Sequence, residues 1–197
     1  MFNRARDREL VHHNPCEGVR YNKEGKRTRY VTDEEFLRVK ALANEHMQAI
    51  LDLALLIGQR RGDLLAIRQG DIDAEGIYLR QSKTGHPQII RMTEAVRDVV
   101  DRLLKDRPRG GAYPLVCKPD GSGYTVNGFN TNWQRLMNRA VKEGAVERFR
   151  FHDIRAKAAT DLQRAGHDPQ ALLGHASWTT TEIYLRDRAG QLVEPLR

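Results

Sequence analysis

Only two cysteines occur in the 197 residues, Cys16 and Cys117. No Cys-x-x-Cys spacing is present, so neither a disulfide framework nor a zinc-finger pattern can be built. A reducing, cytoplasmic setting is expected. Apolar stretches are short. The longest, Ile50 to Ile57, is broken by Asp52 and falls far short of the ~20 residues that span a bilayer. The N-terminus, MFNRARDREL, carries charge and no apolar stretch, so a secretory signal peptide is not expected. No dense carboxylate cluster suits two-metal nuclease chemistry. His12-His13 lacks the partnering carboxylate or cysteine of a metal site. Neither metal nor cofactor is therefore expected. Internal repeats and low-complexity segments are also missing.

What is present is positive charge. Lysine and arginine number 33 against 26 acids, a formal net charge of +7. Such a balance favours polyanions, nucleic acid first and anionic membrane second. Hydrophobic residues make up 40%, enough for a core at this length. One domain, or one domain with an arm, is expected.

Residues 1 to 30 are rich in charge, with Asn14-Pro15 and the basic run Lys23 to Arg29, and they read as an arm or linker. Thr32 with Glu35 three residues on forms a capping box that opens a helix. A second, apolar helix is predicted from about His46 to Ile57, ended by Gly58, with a short one over Asp63 to Arg68. Ile77 to Arg80 and Gln88 to Met92 read as strands joined by the polar turn Ser82 to Pro87. Val96, Val99, Val100, Leu103 and Leu104 recur at helical spacing. Leu115-Val116-Cys117 reads as a third short strand. Residues 107 to 124 hold three prolines and four glycines and are mostly loop. Helices are predicted near 126–143, 152–165, 169–173 and 178–186. The expected class is α+β: mostly helical, with a small antiparallel three-stranded sheet.

Unusual polar residues cluster in the second half. His152 and Arg155 are three apart and share a helical face. In Leu172-Leu173-Gly174-His175 a glycine sets a histidine just past a helix end, and Tyr184 follows nine residues later. Upstream, Gly58-Gln59-Arg60-Arg61-Gly62-Asp63 puts two arginines between glycines. Taken singly, each is weak. His-x-x-Arg is usually a solvated face, His175 can simply cap a helix, and a turn lysine such as Lys83 is usually solvated.

Their order and spacing together resemble the catalytic domain of the tyrosine recombinase, or phage integrase, family. Arg60 is similar to the family's first catalytic arginine, and Asp63 falls where an acidic residue supports it. Lys83-Thr84 resembles the lysine of the β-hairpin turn. Phe151-His152-Asp153-Ile154-Arg155 resembles the His-x-x-Arg box, Leu173-Gly174-His175 the Leu-Gly-His box, and Tyr184 the nucleophile. The likeness covers roughly residues 30 to 188. Two departures are Gln59, where an aliphatic residue is more common, and Ala156-Lys157 after the box arginine. Arg61 rivals Arg60; the Gly58-x-Arg register and the three-residue step to Asp63 favour Arg60.

The resemblance implies metal-free cutting and rejoining of double-stranded DNA through a 3′-phosphotyrosine. Arg60 and Arg155 would clamp the phosphate, His175 would donate a further hydrogen bond, and His152 would take the tyrosine proton or orient the phosphate. Lys83 would protonate the leaving 5′-oxygen. Assembly as a dimer or tetramer on DNA follows from the resemblance, with accessory DNA-bending proteins as candidate partners and no membrane. The expected organisation is a basic arm over 1–30 left from a missing N-terminal DNA-binding domain, a catalytic domain over 31–188, and a C-terminal tail over 189–197. On this expectation the chain is a piece of a longer protein. Two rivals remain: a type IB topoisomerase-like enzyme with the same chemistry, and a non-catalytic DNA-binding protein of the same fold.

Overall fold

The computed structural model describes residues 2–19 and 29–186. The C-terminal tail over 189–197 and most of the basic run over 23–29 lie outside the described residues. The arm contains a short helix that the sequence reading did not anticipate, α1 (Phe2–Arg6), with no buried residue.

The domain begins with α2 (Asp33–Ala41). The Thr32 hydroxyl accepts from the Glu35 amide and the Glu35 carboxylate accepts from the Thr32 amide, so both capping-box bonds form. Next, α3 (Glu45–Ile57) is capped by Asn44 and stopped by Gly58 in the left-handed region at φ 58°. This helix is apolar on several faces because it lies at the centre: Ala49, Ile50, Leu51, Leu53, Ala54 and Ile57 are all buried. It packs on α5 (Glu94–Leu104) and α7 (Phe151–Arg164). Val96, Val99, Val100, Leu103 and Leu104 form the buried stripe of α5, as their spacing requires.

Between α3 and α5 come α4 (Arg61–Ala66) and the antiparallel pair β1 (Gly76–Arg80) and β2 (Pro87–Arg91). The register pairs Gly76 with Arg91 and Arg80 with Pro87, leaving residues 81–86 as the turn. Among the described residues two strands form, not three. Leu115 donates its amide to the Ile67 carbonyl at 2.8 Å, and Cys117 makes only an isolated bridge with Gly123. The Leu115–Cys117 segment thus spends its backbone on the loop after α4 and on its own turn, while its side chains fill the core.

The second half is α6 (Val126–Lys142), α7, α8 (Pro169–Leu173) and α9 (Trp178–Glu182). The last helix ends earlier than the expected residue 186. Phe129, Trp133, Phe149 and Phe151 stack edge-on or tilted at centroid separations of 4.9 to 5.6 Å, fixing the start of α7 against α6. Lys157 is also buried on α7. It pairs with Asp33 and, at 2.9 Å, with Asp161, and donates to the Tyr30 hydroxyl at 3.0 Å. Those carboxylates raise its pKa against the opposing effect of burial. This cluster ties the residues before α2 to the helix that carries His152 and Arg155. No helix among the described residues is long and apolar enough to cross a membrane.

Candidate active site

Arg155 lies on the face of α7 that meets α3 and α8, and it is 2% exposed. Its Nη1 donates to the Gly58 carbonyl and its Nη2 to the Leu173 carbonyl at 2.8 Å. Both acceptors are neutral helix-end carbonyls that have no partner within their own helices. No carboxylate lies within ion-pair distance of Arg155 among the described residues, and its Nε has no hydrogen-bond partner. Burial lowers its pKa, and the nearby Arg60 lowers it further. A desolvated guanidinium without a counter-ion is a seat for an anion.

His175 follows Gly174, whose φ of 60° turns the chain sharply at the end of α8. Its Nε2 is 3.1 Å from Arg155 Nη2, and its Nδ1 is 3.1 Å from the Thr181 hydroxyl. Arginine can only donate, so Nε2 accepts and Nδ1 carries the proton. The imidazole is neutral: burial, then the charges of Arg155, Arg60 and Lys83, depress its pKa to about 4. His152 stands at the exposed rim. Desolvation and the Arg155 charge lower its pKa as well, so it too is neutral at pH 7.

Tyr184 joins this group. Its ring centroid is 5.4 Å from that of His152 and 5.1 Å from that of His175, and the Arg155 guanidinium carbon lies 5.2 Å from the ring centre. Its amide donates to the Thr181 carbonyl at 2.8 Å, continuing the turn of α9. One short helix thereby sets both Tyr184 and the threonine that holds His175.

The first-half residues arrive by a different route. Arg60 precedes α4 in extended conformation. Its Nη1 donates to Gln81 Oε1 at 2.8 Å and is 3.7 Å from Asp63. Its charge acts on Arg155, His152 and His175 alike. Arg61 instead points to α6 and bonds Asn130. Asp63 is buried and accepts from the Ser82 amide at 2.9 Å and hydroxyl at 2.7 Å. Thr84 donates to Gln81 at 3.2 Å. Lys83 therefore projects, exposed, from a turn pinned on both sides, and its charge reaches His175. All seven residues singled out in the sequence thus surround one locus.

Three residues here escaped the sequence reading: Gln81, Gln88 and Thr181. The glutamines flank the hairpin turn, a position where a polar side chain usually faces water. Thr181 had a legible signal, because it lies three residues before Tyr184 and shares its helical face.

Residues 29–190 match the model of the phage integrase family. Over 166 residues the chain is 30% identical to tyrosine recombinase XerC of Corynebacterium glutamicum, covering 82% of this chain and 51% of that protein. It is 28% identical over 193 residues to the shufflon-specific DNA recombinase of Escherichia coli, covering 93% and 47% respectively. The chain thus spans about half the length of these curated relatives. Among solved structures, a lambda integrase dimer bound to a COC′ core site is similar with a TM-score of 0.75 at 22% identity, over 100% of this chain and 72% of that one. A lambda integrase tetramer bound to a Holliday junction gives 0.76 at 22% identity, over 98% and 58%. At this identity the likeness is one of fold.

Proposed function

The chain belongs to the phage integrase family of tyrosine recombinases, and on that premise we propose that it cuts and rejoins duplex DNA through a covalent bond to Tyr184. The observation that carries this reading is the convergence of Arg155, His152 and His175 on the Tyr184 ring at 5.1 to 5.4 Å. A tyrosine beside a guanidinium with no carboxylate at ion-pair distance among the described residues, and beside two neutral imidazoles, has an electrophile holder and a proton acceptor within reach.

The Tyr184 oxygen attacks the scissile phosphorus. Its proton passes to His152, whose lowered pKa keeps the imidazole free to accept it at neutral pH. Charge spreads over the nonbridging oxygens and is met by Arg60 and Arg155, whose planar forks match two oxygens and do not lose their protons. Asp63 supports Arg60 and fixes the base of the Lys83 turn. Lys83 gives a proton to the departing 5′-oxygen. The phosphoester bond survives as 3′-phosphotyrosine, so a 5′-hydroxyl reverses the step without ATP. His175 begins as an acceptor for Arg155. A phosphate at this spot would favour an imidazolium, which can donate to it.

Double-stranded DNA is the partner, with phosphate contacts dominating and binding strongly salt-dependent. Dimeric or tetrameric assembly on DNA, as in the lambda integrase complexes, is proposed for this chain too. Residues 31–188 are proposed as the catalytic domain.

The test is covalent capture. Duplexes that bind the chain are selected from a randomised library, nicked near each candidate phosphate, and incubated with the protein. A denaturation-resistant DNA–protein complex is expected. Tight binding without any such complex would favour a non-catalytic DNA-binding protein.

A further inference from the structure

The final turn of α8 leaves backbone carbonyls with no partner inside the helix. Ala171 accepts the Gly174 amide at 3.1 Å, and three glutamines from elsewhere in the chain supply side-chain donors to Ala171, Leu172 and Leu173. Gln88 Nε2 donates to Ala171 at 2.7 Å and to Leu172 at 3.0 Å. Gln59 Nε2 also donates to Leu172, at 3.0 Å. Gln81 Nε2 donates to Leu173 at 2.8 Å and to Gln59 Oε1 at 3.0 Å. Gln59 and Gln81 are 2% and 0% exposed, so these bonds form out of water, where an unmade one is costly.

Gln81 is the centre of this network. Its nitrogen is committed to Leu173, whose carbonyl also receives Arg155 Nη2 at 2.8 Å. With its nitrogen so fixed, its oxygen can face only one way, and there it receives Arg60 Nη1 at 2.8 Å and the Thr84 hydroxyl at 3.2 Å. One amide therefore links Arg60, the Lys83 turn and, through one carbonyl, Arg155. The close fit also explains Gly174. A Cβ there would stand 2.6 Å from Gln81 Nε2, so a side chain would require the amide to shift.

We propose that Gln81, seated by Gln59 and Gln88, is a positioning residue that holds Arg60 at a fixed offset from Arg155 for phosphate transfer. The inference rests on the proposed recombinase reading. Two guanidiniums repel, and nothing else described on the hairpin side orients Arg60 except Asp63 at 3.7 Å. Without Gln81, Arg60 keeps its charge and loses its direction. Displacement of a clamp by about 1 Å can cost on the order of 10²-fold in rate.

The test is a double-mutant cycle in single-turnover cleavage with saturating DNA, using Gln81→Met, Arg60→Ala and both together in the 197-residue chain. Gln81→Met removes both ends of the amide and keeps its length. Alone it should slow cleavage by about 10- to 100-fold while DNA affinity changes less than about threefold. On top of Arg60→Ala it should cost less than about threefold, because Gln81 acts through a group already gone. A purely structural role would multiply the two losses, and that result would overturn the proposal. So would a Gln81→Met variant that cleaves normally. If Gln81→Met does not fold, Gln59, Gln81 and Gln88 are replaced by methionine together, which removes the stranded partners as well. If neither folds, the network is a condition of folding and the assignment is wrong. Failure of the recombinase reading looks different: the unmutated chain then forms no covalent complex, or Arg60→Ala has no effect.

Discussion

The guanidinium carbon of Arg155 lies 5.2 Å from the centre of the Tyr184 ring, while the guanidinium itself is held by two backbone carbonyls and, among the described residues, no carboxylate. The cation is thus aimed by neutral groups. Its charge stays available to a phosphate that the tyrosine attacks.

Arg155→Lys should separate charge from geometry. Lysine keeps the charge but cannot bond the Gly58 and Leu173 carbonyls and His175 Nε2 together from one plane. Single-turnover cleavage is expected to fall by about 10²- to 10³-fold, the scale of losing a positioned transition-state donor. Retention of more than a tenth of the rate would mean that a point charge suffices there.

His175 gives a pH signature. Its folded-state pKa of about 4 lies below the ordinary histidine value. Above pH ~6.5 it is neutral in both folded and unfolded chains and contributes no pH dependence. As pH falls from there towards 4, the unfolded chain binds a proton that the folded one refuses, so stability drops. The thermal midpoint of the unmutated chain should therefore fall more steeply than that of His175→Gln over this window. Parallel curves would show that His175 titrates normally.

Lys83 is tested through the leaving group. A 5′-bridging sulfur departs without a proton, so an acid becomes unnecessary. Lys83→Ala should lose about 10²- to 10⁴-fold on ordinary DNA and little on the sulfur-substituted duplex. Arg60→Ala should stay slow on both. Equal slowness of Lys83→Ala on both substrates would move the acid elsewhere.

The Lys157 cluster predicts a stability effect away from the chemistry. The Lys157 side chain is 0% exposed and holds two carboxylates and Tyr30. Lys157→Ala should cost about 3 kcal/mol, the low end for a broken buried pair because Asp33 is largely exposed. For a chain of this size that is a fall of roughly 6–12 °C in Tm. A change under ~2 °C would show that the cluster is energetically neutral.

Much of this arrangement was legible in the chain, for reasons that differ by residue. The cap at Thr32, the stripe of α5 and the αL stop at Gly58 are local, and each forms as its sequence demands. His152 and Arg155 share a helix, so their spacing was enough to put them on one face. The third strand failed because Leu115 pairs with Ile67, a non-local choice that a three-residue apolar run cannot express. Gln59 was visible only as an oddity. Its purpose depends on Leu172, more than a hundred residues away, and on two glutamines that meet it only after the hairpin docks. Arg60 and Arg61 are neighbours in sequence; the Gly58-x-Arg register and the step to Asp63 favour Arg60, and the tertiary partners, Gln81 for one and Asn130 for the other, send the two side chains apart.

Location of the covalent link is the most direct measurement. Captured complex is digested with trypsin, and the peptide attached to DNA is identified by mass spectrometry. The link should lie on the peptide Ala165–Arg186, whose one tyrosine is Tyr184, and Tyr184→Phe should bind DNA with unchanged affinity yet yield no complex. A link on a peptide containing Tyr113 or Tyr124, or a complex that persists in Tyr184→Phe, would contradict the assignment of Tyr184 as the nucleophile.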